Sequence, residues 1–210
     1  MQLLINRKKR SIMIEVEIKV KISDPNLIRK KFDVNGVYKL SLHHEDTYFN
    51  MPKGLRDFKQ TDEALRLRKS IEFNRDNKQI AQKINYFITY KGKKIDKTTK
   101  TREEIEVKIN EIEDMKNLLK LLGFREVFTV IKERELYDFK FKNTRIEALI
   151  DYIPILEQHF VEVELLTESY EKVDENKELL FQFLENFGIK KQESVRMSYL
   201  ELIVNKLVGK

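Results

Sequence analysis

The stretch IMIEVEIKVKI, residues Ile12–Ile22, alternates without a break. Ile12, Ile14, Val16, Ile18, Val20 and Ile22 fall on one side, and Met13, Glu15, Glu17, Lys19 and Lys21 on the other. A period of two places successive side chains on opposite faces of a β-strand. The β-branched side is core. The other side, E-x-E-x-K, faces either bulk water or a ligand, and the fold turns on which.

The pattern recurs down the chain. ALRLRKSIEF puts Arg66 and Arg68 on one face, opposite Leu65 and Leu67. In AQKINYFITYKG, Thr89 and Lys91 share a face, and in TREEIEVKI so do Arg102, Glu104 and Glu106. VFTVIKERELYDF aligns Lys132 with Arg134, and FVEVELL aligns Glu162 with Glu164. With LSLHHEDTYF and TRIEALIDYI, these make eight expected strands. Taken singly, each charged face reads as solvated sheet with cross-strand ion pairs of little worth. Repetition weakens that reading, because like charges side by side repel unless something between them supplies the opposite sign. A polyphosphate neutralises Lys and Arg, and a divalent cation neutralises carboxylates. An oxygen-only donor set suits hard ions, Mg²⁺ or Mn²⁺. A closed barrel is one architecture that turns such faces toward a shared interior.

Composition narrows the classes. The chain has 210 residues, 41% hydrophobic and 36% charged, enough for a real core and too apolar for compositional disorder. It has no Cys, which excludes a disulfide framework and thiolate chemistry. No apolar run approaches the roughly 20 residues of a membrane span, and the N-terminus lacks the features of a secretory signal, so a cytoplasmic protein is expected. The net charge of +6 allows an anionic partner. Outside RKKR, Arg7–Arg10, basic and acidic residues are interleaved, whereas a long nucleic acid calls for an unmixed basic stripe. Three Pro and six Gly leave no linker, so one domain over residues 13–205 is expected, after a flexible extension over residues 1–12.

Helices are expected over SDPNLIRKKFDVNG, with Asp24 as N-cap and Pro25 in the first turn, and over EIEDMKNLLKLLGF, ending at Gly123. Two more are expected over DENKELLFQFLENFG and SVRMSYLELIVNK. The fold class is α+β, mainly β. His43 and His44 are adjacent, so they face opposite ways on a strand and suit a metal pair poorly. No Gly-rich phosphate loop is present. Tyr48 and Tyr199 read as packing residues, and Arg196 either contacts phosphate or pairs with Glu193.

In their order, E-x-E-x-K, R-x-R, TYKG, R-x-E-x-E, K-x-R and the late E-x-E resemble the CYTH family of triphosphate tunnel metalloenzymes. EDTYF (Glu45–Phe49), TREEIEV and RMSYLEL (Arg196–Leu202) are similar to its branch containing class IV adenylate cyclases. The resemblance covers nearly the whole chain after Met13. It implies an eight-stranded antiparallel tunnel with inward charge and helices outside. It implies metal binding by Glu15, Glu17, Glu162 and Glu164, with Glu104, Glu106 and Asp151 as further carboxylates, and substrate binding by Lys19, Arg66, Arg68, Lys91, Arg102, Lys132 and Arg134. Catalysis then falls to Glu15, Glu17, Lys19 and Arg134.

The implied reaction converts ATP to cyclic AMP and pyrophosphate. Hydrolysis of inorganic, nucleoside or thiamine triphosphate is the alternative, and a non-catalytic module for polyphosphate or an RNA 5′-triphosphate the third reading. The cyclase branch also implies a homodimer. ILEQHFVEVE departs from the family where relatives carry Leu-Gly and a short polar residue.

Overall fold

The computed structural model describes residues 13–75 and 77–209, and the side chains of residues 77–82 are outside the description. The expected extension over residues 1–12, with its RKKR cluster, lies outside the described residues.

All eight strands form. They are β1 (Met13–Ile22), β2 (Val37–Asn50), β3 (Ala64–Asn74), β4 (Asn77–Lys91), β5 (Arg102–Ile109), β6 (Arg125–Phe141), β7 (Thr144–Ile153) and β8 (Gln158–Thr167). They close into a barrel in the order β1-β5-β4-β3-β2-β6-β7-β8, antiparallel throughout.

The register carries one phase all the way round. Glu15 lies opposite Arg102, Lys91 opposite Glu104, Arg66 opposite Thr89 and Asp46 opposite Arg68. On the other side His44 lies opposite Lys132, Arg134 opposite Asp151, and Glu17 opposite Glu164. Directly opposed residues share a face, so every charged face identified in the sequence points into the barrel.

The Ile and Val side of β1 faces out. Val16, Ile18 and Val20 are fully buried under α1 (Pro25–Asn35) and α4 (Val173–Glu185), against Phe32, Leu180 and Leu184. Each such side chain contributes about 1.5–3 kcal/mol by leaving water. Asp24 caps α1 by accepting from the Leu27 amide at 2.9 Å, and Pro25 occupies the first turn. Gly36 follows α1 in extended backbone, and the reason for glycine is space: a Cβ there would sit 2.5 Å from the Phe139 ring. A smaller outer cluster forms where α3 (Ile112–Leu121) covers Phe49 and Leu67.

The four-residue α2 (Phe58–Thr61) was not anticipated. The last helix differs from expectation. SVRMSYLELIVNK was read as one helix, but α5 runs over Tyr199–Leu207. Ser198 and Glu201 form a reciprocal capping box that starts it there. The preceding residues extend along β1 instead: Ser194 bridges Val20, and the Val195 amide donates to the Lys19 carbonyl at 2.7 Å.

Helix α5 plugs one end of the barrel. Tyr199 and Ile203 pack on Val130, Ile153 and Phe160, which continue the inward phase of β6, β7 and β8. At the other end the inward side chains of Glu106, Glu147 and Leu166 are substantially exposed. The divergent ILEQHF segment is a tight β7–β8 connection. It contains a short 3-10 turn, Pro154–Leu156, closed by Glu157 in the left-handed region at φ 53°. His159 lands on the outer face and stacks on Tyr152 with ring centroids 4.6 Å apart.

Candidate functional site

The interior is graded along its axis. From open mouth to plug, β1 presents Glu15, Glu17 and Lys19, and β8 presents Glu164, Glu162 and Phe160. Strand β6 presents Arg134, then Lys132, then Val130. On these three strands the glutamates stand nearer the mouth, and Lys19 and Lys132 nearer the plug.

Glu15, Glu17 and Glu164 bring one oxygen each within 4.8 Å of one another. Burial raises all three carboxyls, Glu17 to about 7, reinforced by repulsion from Glu104 on Glu15, from Glu162 on Glu17, and from Glu15 and Glu17 on Glu164. Glu164 has no Lys or Arg within ion-pair distance among the described residues. An all-carboxylate set with an uncompensated member fits a hard divalent ion, whose charge would offset the burial and repulsion behind these shifts. Glu162, expected in this group, is drawn off by cations: it accepts from Lys100 at 2.8 Å and forms a short bond with Arg134. Burial opposes ionisation of Glu162, but Lys100 and Arg134 overcome it and hold the carboxyl well below its usual range.

The other expected carboxylates serve cations. Both oxygens of Asp151 accept from Arg134 at 2.7 Å, and the Tyr199 hydroxyl donates to one of them at 2.7 Å. Asp151 therefore orients Arg134. Glu104 pairs closely with Lys91, which also reaches Glu15 at 2.8 Å. Glu106 lies toward the mouth and accepts from Thr89 at 2.9 Å and Arg66 at 3.4 Å.

Seven of the expected cations meet inside the barrel. Lys19 is fully buried, with its ammonium 4.2 Å from the Tyr199 ring centroid and bonded to the Met197 carbonyl. No carboxylate lies within ion-pair distance of it among the described residues. Burial, then repulsion from Lys100, lowers Lys19 to about 7. Burial, then Arg134, does the same to Lys132. The Arg66 Nε is buried with no acceptor. Buried donors without partners are rare, and Arg66 Nε is one in the tunnel wall. Arg102 donates to the Gly92 carbonyl at 3.2 Å.

Arg196 stands apart. Its guanidinium donates to the Asp96 carbonyl at 3.1 Å and lies 3.7 Å from Asp62, so these, rather than Glu193, are its protein partners.

Three interior residues were missed. Asp46 is fully buried and gathers Arg68 at 2.6 Å, Lys132 at 3.3 Å and Arg66 at 3.5 Å. It was present in the quoted EDTYF, in phase with His44 and Tyr48. Lys100 bonds Glu17 and Glu162, and it extends the Arg102, Glu104, Glu106 alternation one step back. His44 shares the wall, its Nε2 3.0 Å from Ser70 Oγ, and burial keeps it neutral well below its usual range. His43 faces the opposite way, as adjacency requires.

The sequence matches the CYTH domain over residues 13–199. The chain belongs to the CYTH family. A Methanocaldococcus jannaschii protein named "Putative adenylate cyclase MJ0240" is 43% identical over 192 residues, covering 90% of this chain and 98% of the relative. Among solved structures, the PH1819 protein of Pyrococcus horikoshii OT3 superposes with a TM-score of 0.78 at 36% identity, over 91% of this chain and 99% of that one. A Hippeastrum protein described as a "putative adenylyl cyclase" with a dominant triphosphatase activity shares the fold, with a TM-score of 0.59 at 16% identity over 93% and 96% of the two chains. No helix among the described residues of this CYTH protein is long and apolar enough to cross a membrane.

Proposed function

We propose that this CYTH protein is a divalent-metal-dependent enzyme acting on a triphosphate, and that it converts ATP to cyclic AMP and pyrophosphate. The axial grading of charge carries the reading. Lys19 and Lys132 lie against Tyr199 of the plug, so a nucleoside triphosphate entering from the mouth leads with its terminal phosphate. Lys19, Lys132, Arg134, Arg66 and Arg68 then hold the β- and γ-phosphates. The phosphorus nearest Glu15, Glu17 and Glu164 becomes the one next to the ribose, where the 3′-hydroxyl attacks and pyrophosphate leaves.

A Mg²⁺ or Mn²⁺ ion on these carboxylates would supply positive charge to the phosphate oxygens. Asp151 and Tyr199 fix the Arg134 fork, so that part of the cationic wall is preorganised. The curated relative's name agrees with this choice of reaction.

Hydrolysis is the second reading. Glu164 and Glu15 stand toward the exposed mouth, so a triphosphate entering in the opposite sense would bring its terminal phosphorus to the same carboxylates. A product assay separates the two. The protein is incubated with Mn²⁺ or Mg²⁺ and ATP, inorganic triphosphate or thiamine triphosphate. Cyclic AMP with pyrophosphate supports the cyclase, and orthophosphate the triphosphatase. No product from any substrate rejects an enzyme in favour of a polyphosphate-binding module. The homodimer carried over from the cyclase branch is checked by sedimentation equilibrium.

A further inference from the structure

Lys100 is the interior cation that does not sit on a strand. It lies in the β4–β5 connection, with its ammonium between Glu17 Oε1 and Glu162 Oε1. A loop lysine normally swings freely, but here the backbone around it is fastened. The Lys100 amide donates to the Glu17 carbonyl at 3.1 Å, and the Ile95 amide to the Thr101 carbonyl at 2.9 Å. The Asp96 carboxylate accepts from the Thr98 and Thr99 amides at 2.7 and 2.8 Å and from Lys177 of α4 at 2.8 Å. Arg196 grips the Asp96 carbonyl, and Ser194 Oγ donates to the Thr98 carbonyl at 3.0 Å. The connection is thus clamped to α4 and to the segment preceding α5, which gives Arg196 a place in the architecture.

We infer that Lys100 is a built-in cation that stands in for a second divalent ion and restricts the tunnel to one. The inference rests on the reading of Glu15, Glu17 and Glu164 as metal-binding. Both oxygens of Glu162 are taken, by Lys100 and Arg134. Glu17 gives one oxygen to Lys100, and Glu15 gives one to Lys91. What remains is one oxygen on each of these two, plus Glu164, and the three carboxylates each bring one oxygen within 4.8 Å of the others. A second ion bridging Glu17 and Glu162 would have to expel an ammonium whose backbone is pinned, in a buried site where like charges repel strongly. Lys100 is on this account a positioning residue: it sets how many ions bind and which carboxylates face them.

The test is Mn²⁺ alone, titrated into the full chain by calorimetry and by the paramagnetic resonance signal of free Mn²⁺. Wild type should take up one ion per chain. Lys100→Gln should take up two, the Mn²⁺ pair showing exchange-coupled lines, and Lys100→Arg should return to one. Two ions in wild type would overturn the inference even if Lys100→Gln does not fold, and so would a folded Lys100→Gln that binds one. Glu164→Gln separates the layers. If it loses the single ion while Lys100→Gln still binds one, the metal reading stands and the role of Lys100 falls. If neither wild type nor Lys100→Gln binds Mn²⁺, the metal reading falls and the inference with it.

Discussion

Asp46→Asn removes the negative charge that holds three buried cations in place. The carboxylate lies 2.6 Å from Arg68, 3.3 Å from Lys132 and 3.5 Å from Arg66, and it is fully buried. Burial alone would raise its pKa, yet Arg68, Lys132 and Arg66 together hold it well below the usual range. Deleting one partner of such a buried set leaves uncompensated charge and costs about 3–5 kcal/mol. For a chain of this length each kcal/mol moves Tm by roughly 2–4 °C, so Tm should fall by about 6–20 °C.

A second consequence separates this account from simple loss of packing. Asp46 competes with any incoming anion for the same cations. Inorganic triphosphate should therefore bind Asp46→Asn more tightly than wild type and raise its Tm by a larger increment. The assay is thermal unfolding followed by circular dichroism, with and without saturating triphosphate. Asp138→Asn serves as control, since its Arg145 and Lys39 partners lie at the surface, and it should cost about 1 kcal/mol or less. An Asp46→Asn protein that melts with wild type, or gains no more from triphosphate than wild type does, would refute the reasoning.

Other outcomes follow from the same geometry. Glu17→Gln should abolish metal-dependent turnover with an unchanged circular dichroism spectrum, and normal activity with Mg²⁺ or Mn²⁺ would sink the carboxylate assignment. Lys132 is held at about 7 in the folded state, far below its unfolded value. The unfolded chain therefore binds the extra proton between these values, and stability rises with pH across that window. Lys132→Met should flatten that pH dependence in thermal unfolding of the ligand-free protein. It should also weaken triphosphate binding measured by calorimetry. An unchanged pH dependence, or unchanged affinity, contradicts this. Gly36→Ala forces a methyl toward the Phe139 ring and should cost about 1–3 kcal/mol in urea unfolding, whereas a glycine needed merely for flexibility would leave the midpoint unmoved or higher.

The sequence by itself determined the strands and which side chains share each charged face, and the family resemblance turned those faces inward. Alternation is a local property, and Glu15, Glu17 and Lys19 declare their common face within five residues. The register then had to place like with like, because a one-residue slip would turn Val16 and Ile18 into the charged interior. The caps of α1 were legible for the same reason, since Asp24 and Leu27 are three residues apart.

Only the tertiary structure decided how the interior charges divide. Lys19 meets the Met197 carbonyl across 178 residues of sequence and Lys100 meets Glu17 across 83, and no spacing encodes those encounters. Thus Glu162 went to Lys100 and Arg134, Asp151 to Arg134, and Arg196 to the clamp outside the tunnel. Helix α5 stopped being a surface helix and became the plug. The physical reason is that side-chain direction follows from neighbouring backbone, whereas the partner of a buried charge is chosen by closure of the whole barrel, which brings every strand's charges within a few ångströms of one another at low dielectric.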